Sequence, residues 1–320
     1  MTTTTMEGTA PRMFEAVRCY GCGQASSTPF ISGVDDLTGR PGRFTFVRCS
    51  GCGMAYQSPR LTLEHVKSYY GDGYIAHRKT SWGMLGPFFN WVMGSLDRAK
   101  MRIVTRACAL GPGSSVLDVG CGAGGFLSHV LERSGARVAG VDFVDLSDHP
   151  GLRGVEFHHG LFYEQAVGAG RHDLVTMWHF LEHDYDPVRS LEHARRALKP
   201  GGHLVVEVPR LDSVSFRLFK DRWPGLQAPQ HTVLYDKAAL IGMVERAGFE
   251  VVEHLPYGAF PPYFYLFCGV AFTVLRGRGL NLQKGLWAYL AGQVLLLPVV
   301  PLLKHCNFAM QTVICRKADA

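Results

Sequence analysis

The stretch that decides the fold is Val116-Leu-Asp-Val-Gly-Cys-Gly-Ala-Gly-Gly-Phe126. Its first residues have the apolar pattern of a buried strand, and a glycine-rich turn then leads into a helical pattern. Gly120, Gly122 and Gly125 match G-x-G-x-x-G, a loop that lets the backbone approach a nucleotide closely. This arrangement predicts the first strand, turn and helix of a doubly wound α/β sheet.

Strand and helix patterns continue to alternate around this loop. The predicted strands cover residues 115–119, 137–141, 155–158, 173–178 and 203–208. The predicted helices cover residues 124–133, 187–198 and 237–247. A sixth strand follows Gly248, and the alternation from Asn307 to Cys315 predicts the last strand. Such alternation favours an α/β fold with a largely parallel sheet.

Asp118, two residues before Gly120, indicates which nucleotide the loop binds. The glycine pattern and Asp142, 22 residues after Gly120, would also fit a dinucleotide site. A dinucleotide places a pyrophosphate at this loop, however, and a carboxylate would repel it. S-adenosylmethionine (SAM) carries an ammonium and a sulfonium group, which a carboxylate attracts. Asp118 therefore favours the cationic cofactor.

Motifs spread along the chain resemble those of class I SAM-dependent methyltransferases. They are VLDVGCGAGGF at 116–126, GVDF at 140–143, DLVTMWHFLEHDYDP at 173–187 and LKPGGHLVVEVP at 198–209. The chain is most similar to a bacterial subgroup in which a domain with Cys-x-x-Cys pairs precedes this core and a P-R/Q-H element, here residues 229–231, follows the fifth strand. The resemblance runs from about Arg18 to Phe249 and implies a Rossmann-like doubly wound methyltransferase sheet.

The resemblance also implies roles at the cofactor site. Gly120 and Gly122 would let the backbone approach SAM, Asp118 would orient its amino-acid end and Asp142 would accept both ribose hydroxyls. Many members carry an acidic residue after the third strand, where this chain reads HGLF at 159–162, so apolar side chains are expected to enclose the adenine. The expected cofactor-binding residues are Asp118, Gly120, Cys121, Gly122, Asp142, Phe143 and Leu161.

Three histidines are candidates for a general base, which methyl transfer needs when the acceptor is a hydroxyl or an acidic carbon. His179 and His183 follow the fourth predicted strand, and His231 lies in the connection 209–235. With 14 histidines in the chain, a structural role is the alternative for each. Glu182 either orients a histidine or caps the next helix. Three tyrosines before the core could cover the cofactor or simply pack: Tyr69, Tyr70 and Tyr74.

Four of the nine cysteines form a repeated motif, Cys19-Tyr-Gly-Cys22-Gly and Cys49-Ser-Gly-Cys52-Gly, with an arginine before each. Two such turns predict a tetrahedral four-thiolate zinc site, whose glycines at 21, 23, 51 and 53 would adopt positive φ. Four protein ligands leave no open position, so the zinc would be structural. Two separate redox pairs are the alternative. The other five cysteines fit buried hydrophobes.

Two uncharged stretches, residues 255–275 and 285–303, lie between the last two predicted strands. Prolines interrupt both, and a spanning hairpin would place the basic turn 276–284 on the outer face. Monotopic or re-entrant attachment therefore fits better, with Tyr263, Tyr265, Trp287 and Tyr289 at the interface. A helical lid or a dimer surface is the alternative.

The 320 residues have a net charge of +6 and no secretory signal pattern at the N-terminus, which favours a cytoplasmic protein. Peripheral attachment to the cytoplasmic face of the membrane is compatible with this expectation. The expected function is methylation of a small or lipophilic biosynthetic intermediate at O, C or N. An RNA methyltransferase with a zinc ribbon and a non-catalytic SAM-binding adaptor are the alternatives, although no nucleic acid partner is expected; a homo-oligomer is compatible with the sequence.

The expected divisions are a flexible N-terminus (1–17), a zinc-ribbon module (18–60), a helical linker and cofactor cap (61–110), the SAM-binding core (111–257), a hydrophobic helical insertion (258–305) and the last strand with a tail (306–320).

Overall fold

A computed structural model describes residues 13–70, 86–280, 282–295, 298 and 306–318. Tyr74 and the side chain of Trp287 lie outside this description. The strands, in chain order, are β1 (Phe14–Glu15), β2 (Ser27–Gly33), β3 (Phe44–Cys49), β4 (Ala55–Gln57), β5 (Arg60–Leu61), β6 (Ser115–Val119), β7 (Arg137–Asp142), β8 (Glu156–His159), β9 (His172–Trp178), β10 (Leu198–Pro209), β11 (Val233–Leu234), β12 (Phe249–Leu255) and β13 (Met310–Lys317). The α-helices are α1 (Leu63–Val66), α2 (Gly86–Ala107), α3 (Gly125–Ser134), α4 (Pro187–Ala197), α5 (Val214–Phe219), α6 (Lys237–Arg246), α7 (Pro262–Leu275) and α8 (Leu282–Leu295).

The main sheet has seven strands in the order β12-β13-β10-β9-β6-β7-β8. Strands β6 to β10 pair in parallel, whereas β13 runs antiparallel to both β10 and β12. This confirms the predicted Rossmann-like α/β sheet, including a last strand that returns after an insertion. The chain order reverses between β6 and β9, and open α/β sheets bind ligands at the carboxyl ends of the strands at such a point.

Apolar side chains on both faces of the central strands hold the sheet between its helices. Leu117, Val119 and Met177 belong to one buried cluster. Val116 and Leu174, which alternate with them along the strands, belong to the other. Burial on both faces is what a parallel sheet covered by helices requires. It explains why the predicted strands read as nearly continuous apolar runs.

The N-terminal module is joined to the core through a second sheet, of four strands, in the order β11-β4-β3-β2. Its edge strand β11 comes from the core, between α5 and α6. A further short pairing joins β1 to β5, with Phe14 opposite Leu61. The last part of the segment expected as a flexible N-terminus (1–17) thus includes a short strand.

Helices α7 and α8 form the hydrophobic insertion between β12 and β13. Helix α7 packs on α5 with one face. Its other face exposes Val270 (52%) and Val274 (73%), and α8 exposes Val294 (67%) and Leu295 (79%). Among the helices of residues 13–70, 86–280, 282–295 and 306–318, none combines the length and apolarity needed to cross a membrane.

Candidate active site

The glycine loop lies at the carboxyl end of β6 and has the strained geometry that only glycine adopts readily. Gly120, Gly122 and Gly124 have φ values of 74°, 51° and 77°. A Cβ at Gly120 would lie 3.0 Å from the ring of Phe180, so the position also lacks space for a side chain. The loop therefore presents its backbone at the sheet edge where a nucleotide binds.

Asp142, at the carboxyl end of β7, fixes the loops around it. Its carboxylate accepts hydrogen bonds from the backbone N–H of Gly122 (2.8 Å) and of Val144 (3.0 Å). An ionised carboxylate is an acceptor with about four lone-pair positions, which is the chemistry that binding ribose hydroxyls requires. The chemistry of this donor set fits the predicted ribose role.

Asp118 is buried in β6, with 3% of its surface exposed. The Thr176 hydroxyl donates a 2.6 Å hydrogen bond to its carboxylate. Burial raises the pKa of Asp118 to about 6, although the charge of Lys100 and the Thr176 hydroxyl act in the opposite direction. A desolvated carboxylate of this kind gains from a cationic ligand, which fits the ammonium of SAM.

Two charged residues on α2 were not predicted from the sequence, which was interpreted there only as a helical linker. Lys100 lies with Nζ 5.4 Å from the ring centroids of both Phe126 and Trp178. Burial raises the pKa of Asp97 on the same helix, and the charge of Lys100 opposes that rise as it does at Asp118. Lys100 is therefore a candidate partner for the carboxylate of the SAM amino-acid end, opposite Asp118.

The loops after β7 and β8 carry the residues expected around the adenine. Phe143 and Leu161 are both partly buried, and the Gly160 N–H joins the two loops by a 2.8 Å bond to the Asp142 carbonyl. Tyr70 packs its ring edge-on against Phe143, with centroids 5.0 Å apart. Tyr70 thus lies beside the adenine site.

Tyr69 fits the packing alternative, and Cys121 directs its thiol away from the glycine loop. Tyr69 packs on Phe44 in the N-terminal module, 6.0 Å between centroids, rather than on the glycine loop. The Cys121 thiol is buried towards the sheet, where a Cβ on Gly140 would lie 2.7 Å from its sulfur. Burial raises the pKa of this thiol. Only the backbone of Cys121 is therefore suited to the predicted cofactor contact.

His179, just past β9, lies between two carboxylates. Its φ of 54° is left-handed, and its Nδ1 and Nε2 atoms lie 3.5 Å from Glu182 and 3.1 Å from Glu207. Burial alone would lower the pKa of His179, but the hydrogen bonds and charges of the two carboxylates raise it to about 9. The raised pKa favours the protonated imidazole, so His179 is less suited to the expected role of base than a neutral ring would be.

Glu207, at the end of β10, is a site residue that the sequence did not indicate. Its fully buried carboxylate accepts the backbone N–H of Ala259 (2.7 Å) and of Phe260 (3.2 Å). Burial would raise its pKa, but His179 and these two donors lower it. The ring of Phe260 also packs on His179, with centroids 5.1 Å apart. The start of the hydrophobic insertion is thereby attached to the candidate acceptor site.

His183 and His231 lie together at the same edge, with ring centroids 4.4 Å apart. His183 is partly exposed; its Nδ1 lies 3.0 Å from the Tyr70 hydroxyl and 3.2 Å from the Gln230 carbonyl. His231 is buried, and its Nδ1 lies 2.8 Å from the Gly225 carbonyl, which requires the proton on Nδ1. Burial and the neighbouring His183 lower the pKa of His231 well below its ordinary value. His231 is therefore neutral.

Glu182 completes this cluster and is not the cap of the next helix. Asp186 caps α4 instead, accepting a 3.1 Å bond from the Arg189 N–H. Glu182 is buried, and its ligand atoms lie within 4.8 Å of those of His183 and His231, a spacing that could also hold a cation. That Glu182 lies near His183 follows from their adjacent positions in the sequence. That His231 lies near both depends on the fold.

The four cysteines of the N-terminal module form a compact donor set whose ligand atoms all lie within 4.8 Å of one another. The Sγ–Sγ distances are 3.4 Å for Cys19–Cys52 and 3.5 Å for Cys22–Cys49. Tetrahedral zinc with Zn–S bonds of about 2.3 Å requires separations of about 3.8 Å, so the set fits a metal after a small expansion.

The two turns repeat the same hydrogen bonds, from Gly23 to Cys19 and from Gly53 to Cys49. Gly23 and Gly53 have positive φ as predicted, whereas positive φ is not found at Gly21 or Gly51. At Gly21 a Cβ would lie 3.2 Å from the sulfur of Cys52, so close approach rather than backbone conformation explains that glycine.

We expect binding of S-adenosylhomocysteine, which has the same α-ammonium as SAM, to weaken below pH 6. Protonation of Asp118 removes the charge that attracts the ammonium, so a pKa of about 6 predicts roughly tenfold weaker binding at pH 5 than at pH 7. Isothermal titration calorimetry measures this directly. Asp118→Asn should bind weakly at both pH values with this pH dependence removed; an unchanged pH dependence in that variant would assign the effect to another group.

We expect Asp142→Ala to lose at least tenfold in affinity for S-adenosylhomocysteine, since hydrogen bonds to a charged group contribute about 1.5–3 kcal/mol each. Asp145→Ala is the matched control, because Asp145 is an exposed carboxylate in the same loop that bonds to Ser147. Equal affinities of the two variants would exclude the ribose role of Asp142.

Comparison with known proteins gives a consistent assignment. A family model described as a methyltransferase domain matches residues 92–254, about half of the chain. A ubiquinone biosynthesis O-methyltransferase of Xanthomonas campestris pv. campestris is 30% identical over 169 residues, which cover 50% of this chain and 69% of that protein. The protein of that name from Marinobacter nauticus is 35% identical over 114 residues, 32% of this chain and 48% of the relative.

Among solved structures, a SAM-dependent methyltransferase of Thermotoga maritima, described as a possible histamine N-methyltransferase, is 17% identical with a TM-score of 0.46. The match covers 79% of this chain and 97% of that one. The family match and the curated relatives agree with the glycine loop and its two carboxylates on the observed sheet. The chain therefore belongs to the methyltransferase-domain family, as a SAM-dependent methyltransferase.

Proposed function

We propose that this protein methylates a small or lipophilic biosynthetic intermediate and that His183, supported by His231, accepts the proton of the acceptor. The observation that carries the proposal is the pair of rings 4.4 Å apart at the carboxyl edge of the sheet, with His231 kept neutral. A neutral imidazole can accept a proton at physiological pH, which the protonated His179 cannot do.

SAM, when bound, supplies an electrophilic methyl group on a sulfonium. Asp118 and Asp142 are the residues that would hold its ammonium and its ribose, and Lys100 its carboxylate. His183 is the partly exposed member of the histidine pair, so it faces the acceptor, and a proton on its Nδ1 donated to the Gln230 carbonyl leaves Nε2 as the basic atom. During methyl transfer, His183 would accept the acceptor's proton on Nε2.

The names of the curated relatives support an acceptor of this class. They are O-methyltransferases of ubiquinone biosynthesis, which favours a hydroxyl oxygen as the methylated atom and a biosynthetic intermediate as the substrate. Phe260 beside His179 supports an apolar acceptor, because it presents an aromatic ring at the same edge. We therefore propose a hydroxyl oxygen as the methylated atom and a small or lipophilic molecule as the acceptor.

We also propose that the four-cysteine module holds a structural zinc ion. The supporting observation is the convergence of four sulfurs on one point, with the Gly51 N–H directed at the Cys49 sulfur at 3.4 Å. Four thiolates complete a tetrahedral site and leave no position for a substrate. Zinc here stabilises the fold and takes no part in methyl transfer.

The exposed face of α7 and α8 supports attachment to an anionic membrane surface. Residues 255–304 contain no Asp or Glu, and α7 ends at Arg276, which is exposed together with Arg278. Helices of 14 residues are about 21 Å long, too short to cross the bilayer but long enough to lie in its interface. Anionic headgroups would match the two arginines, whereas a second copy of this chain would bring further positive charge.

We expect the protein to transfer tritium from methyl-labelled SAM to the solvent-extractable fraction of a bacterial extract. His183→Gln should reduce this transfer at least hundredfold, the usual contribution of a general base, while affinity for S-adenosylhomocysteine is retained. His203→Gln is the matched control, since His203 is partly exposed near the middle of β10 and outside the histidine cluster. Label found in RNA instead would support the RNA methyltransferase alternative, and unchanged transfer by His183→Gln would refute the proposed base.

We expect the protein to float with vesicles of phosphatidylglycerol and phosphatidylcholine, and Val270→Glu with Val274→Glu to abolish flotation. Both substitutions place a charge on the exposed face of α7. Val252→Glu is the control, because Val252 is 55% exposed on the edge strand β12, outside the insertion. Absence of flotation, or equal loss in the control, would contradict membrane attachment.

A further inference from the structure

We propose that the four-cysteine module is the positioning element of the segment that carries His231. Metal binding would fix strand β4, and β4 would in turn hold the segment 225–235 against the catalytic edge. This inference rests on the proposed zinc site and on the proposed role of the His183–His231 pair. Under this inference the module contributes to methyl transfer indirectly, by holding His231 beside His183.

The contact between module and segment consists of backbone pairing next to His231. Strand β4 pairs antiparallel with β11, with Val233 opposite Tyr56. The Gln57 N–H donates a 2.8 Å bond to the Thr232 carbonyl, and the Gln57 side-chain amide donates to the His231 carbonyl at 3.5 Å. Within the part of the chain that the structure describes, β11 is an edge strand whose strand partner is β4.

The metal site lies at the turn that delivers β4. Cys49 is the last residue of β3, and Cys52 stands three residues before β4 begins at Ala55. The Cys49 N–H donates to the Met54 carbonyl at 2.9 Å, which closes the turn. A metal bound to Cys49 and Cys52 would link the two sides of this turn through its two sulfurs.

The opposite side of the segment contacts the catalytic edge. Thr232 donates its N–H to the Glu182 carbonyl (2.7 Å) and its hydroxyl to the Asp184 carbonyl (2.7 Å). His231 Nδ1 is held by the Gly225 carbonyl at 2.8 Å. The segment 225–235 thus lies between the module on one side and the loop after β9 on the other. Displacement of β4 would therefore remove the hydrogen bonds that hold the segment on its module side.

Among the described residues, the buried side chains of the module belong to clusters that also contain residues from outside the module. Cys19, Cys49 and Tyr56 belong to the same buried cluster as Val233 and the core residues of the main sheet. A zinc ribbon that folded by itself would keep these side chains in a cluster of its own. The shared cluster means that loosening of the module reaches the segment through packing as well as through hydrogen bonds.

Hydrogen exchange of the full chain, saturated with S-adenosylhomocysteine, tests the coupling. After removal of the metal with a chelator, we expect exchange in residues 225–235 to accelerate about tenfold or more, together with residues 18–57. Affinity for S-adenosylhomocysteine should change less than threefold, because Asp118 and Asp142 lie outside both segments. Acceleration confined to 18–57 would show an autonomous module and overturn the inference.

Gln57→Leu separates the coupling from loss of the metal. This variant keeps all four cysteines, so we expect full zinc content with faster exchange in 225–235, and a His231 imidazole resonance that titrates closer to its ordinary pKa. Gln165→Leu is the matched control, since its side-chain amide also donates to a carbonyl at 3.5 Å, that of Leu161. An unchanged His231 titration in Gln57→Leu would contradict a positioning role.

Metal analysis distinguishes failure of this inference from failure of the zinc proposal. A purified chain with one zinc per molecule, but without coupling to 225–235, would overturn only the positioning role. A chain that binds no zinc would overturn both. Cys52→Ser should reproduce the effect of the chelator, whereas Cys306→Ser, at an exposed cysteine outside the module, should leave exchange and zinc content unchanged.

Discussion

Four carboxylates are buried along the carboxyl edge of the main sheet. The groups that stabilise their negative charge determine the protonation states and ligand preference of the site. Asp118, Asp142, Glu182 and Glu207 each expose 5% of their surface or less. Buried carboxylates remain ionised only when hydrogen bonds or cations replace the lost water. Backbone amides of the loops donate hydrogen bonds to Asp142, and His179 lies against Glu207. The pKa of Asp118, in contrast, stays raised. The incompletely compensated charge of Asp118 is what suits this carboxylate to a cationic ligand.

The same constraint gives opposite properties to two histidines that the sequence could not distinguish. His179 lies between two carboxylates and is protonated, while His231 has a backbone carbonyl and another histidine as neighbours and is neutral. Residue type and position after a strand predicted both as bases. The distinction depends on which partners the fold brings near each ring, and for His231 those partners include Gly225 and His183, from different loops.

The sequence was most informative where the physical cause is local. The glycine loop, the strand β6 and Asp142 were predicted closely because glycine conformations, apolar runs and turn spacing act over a few residues. The role of Glu207 and the proximity of Lys100 to Asp118 were not predicted, because both depend on packing between distant elements. The contact between Gln57 and His231 spans 174 residues of sequence, and no local pattern encodes it.

Glu207 also relates the acceptor site to the hydrophobic insertion. One buried carboxylate holds His179 and the first two residues of the segment leading to α7, Ala259 and Phe260. Aromatic contacts then continue from Phe260 to Phe264 and from Phe264 to Tyr289 on α8. Under the proposed function, a lipophilic acceptor held at a membrane surface by these helices would already lie on the side of the molecule where methyl transfer occurs. The insertion and the acceptor site therefore constrain each other, because movement of α7 away from the core would withdraw Phe260 from His179.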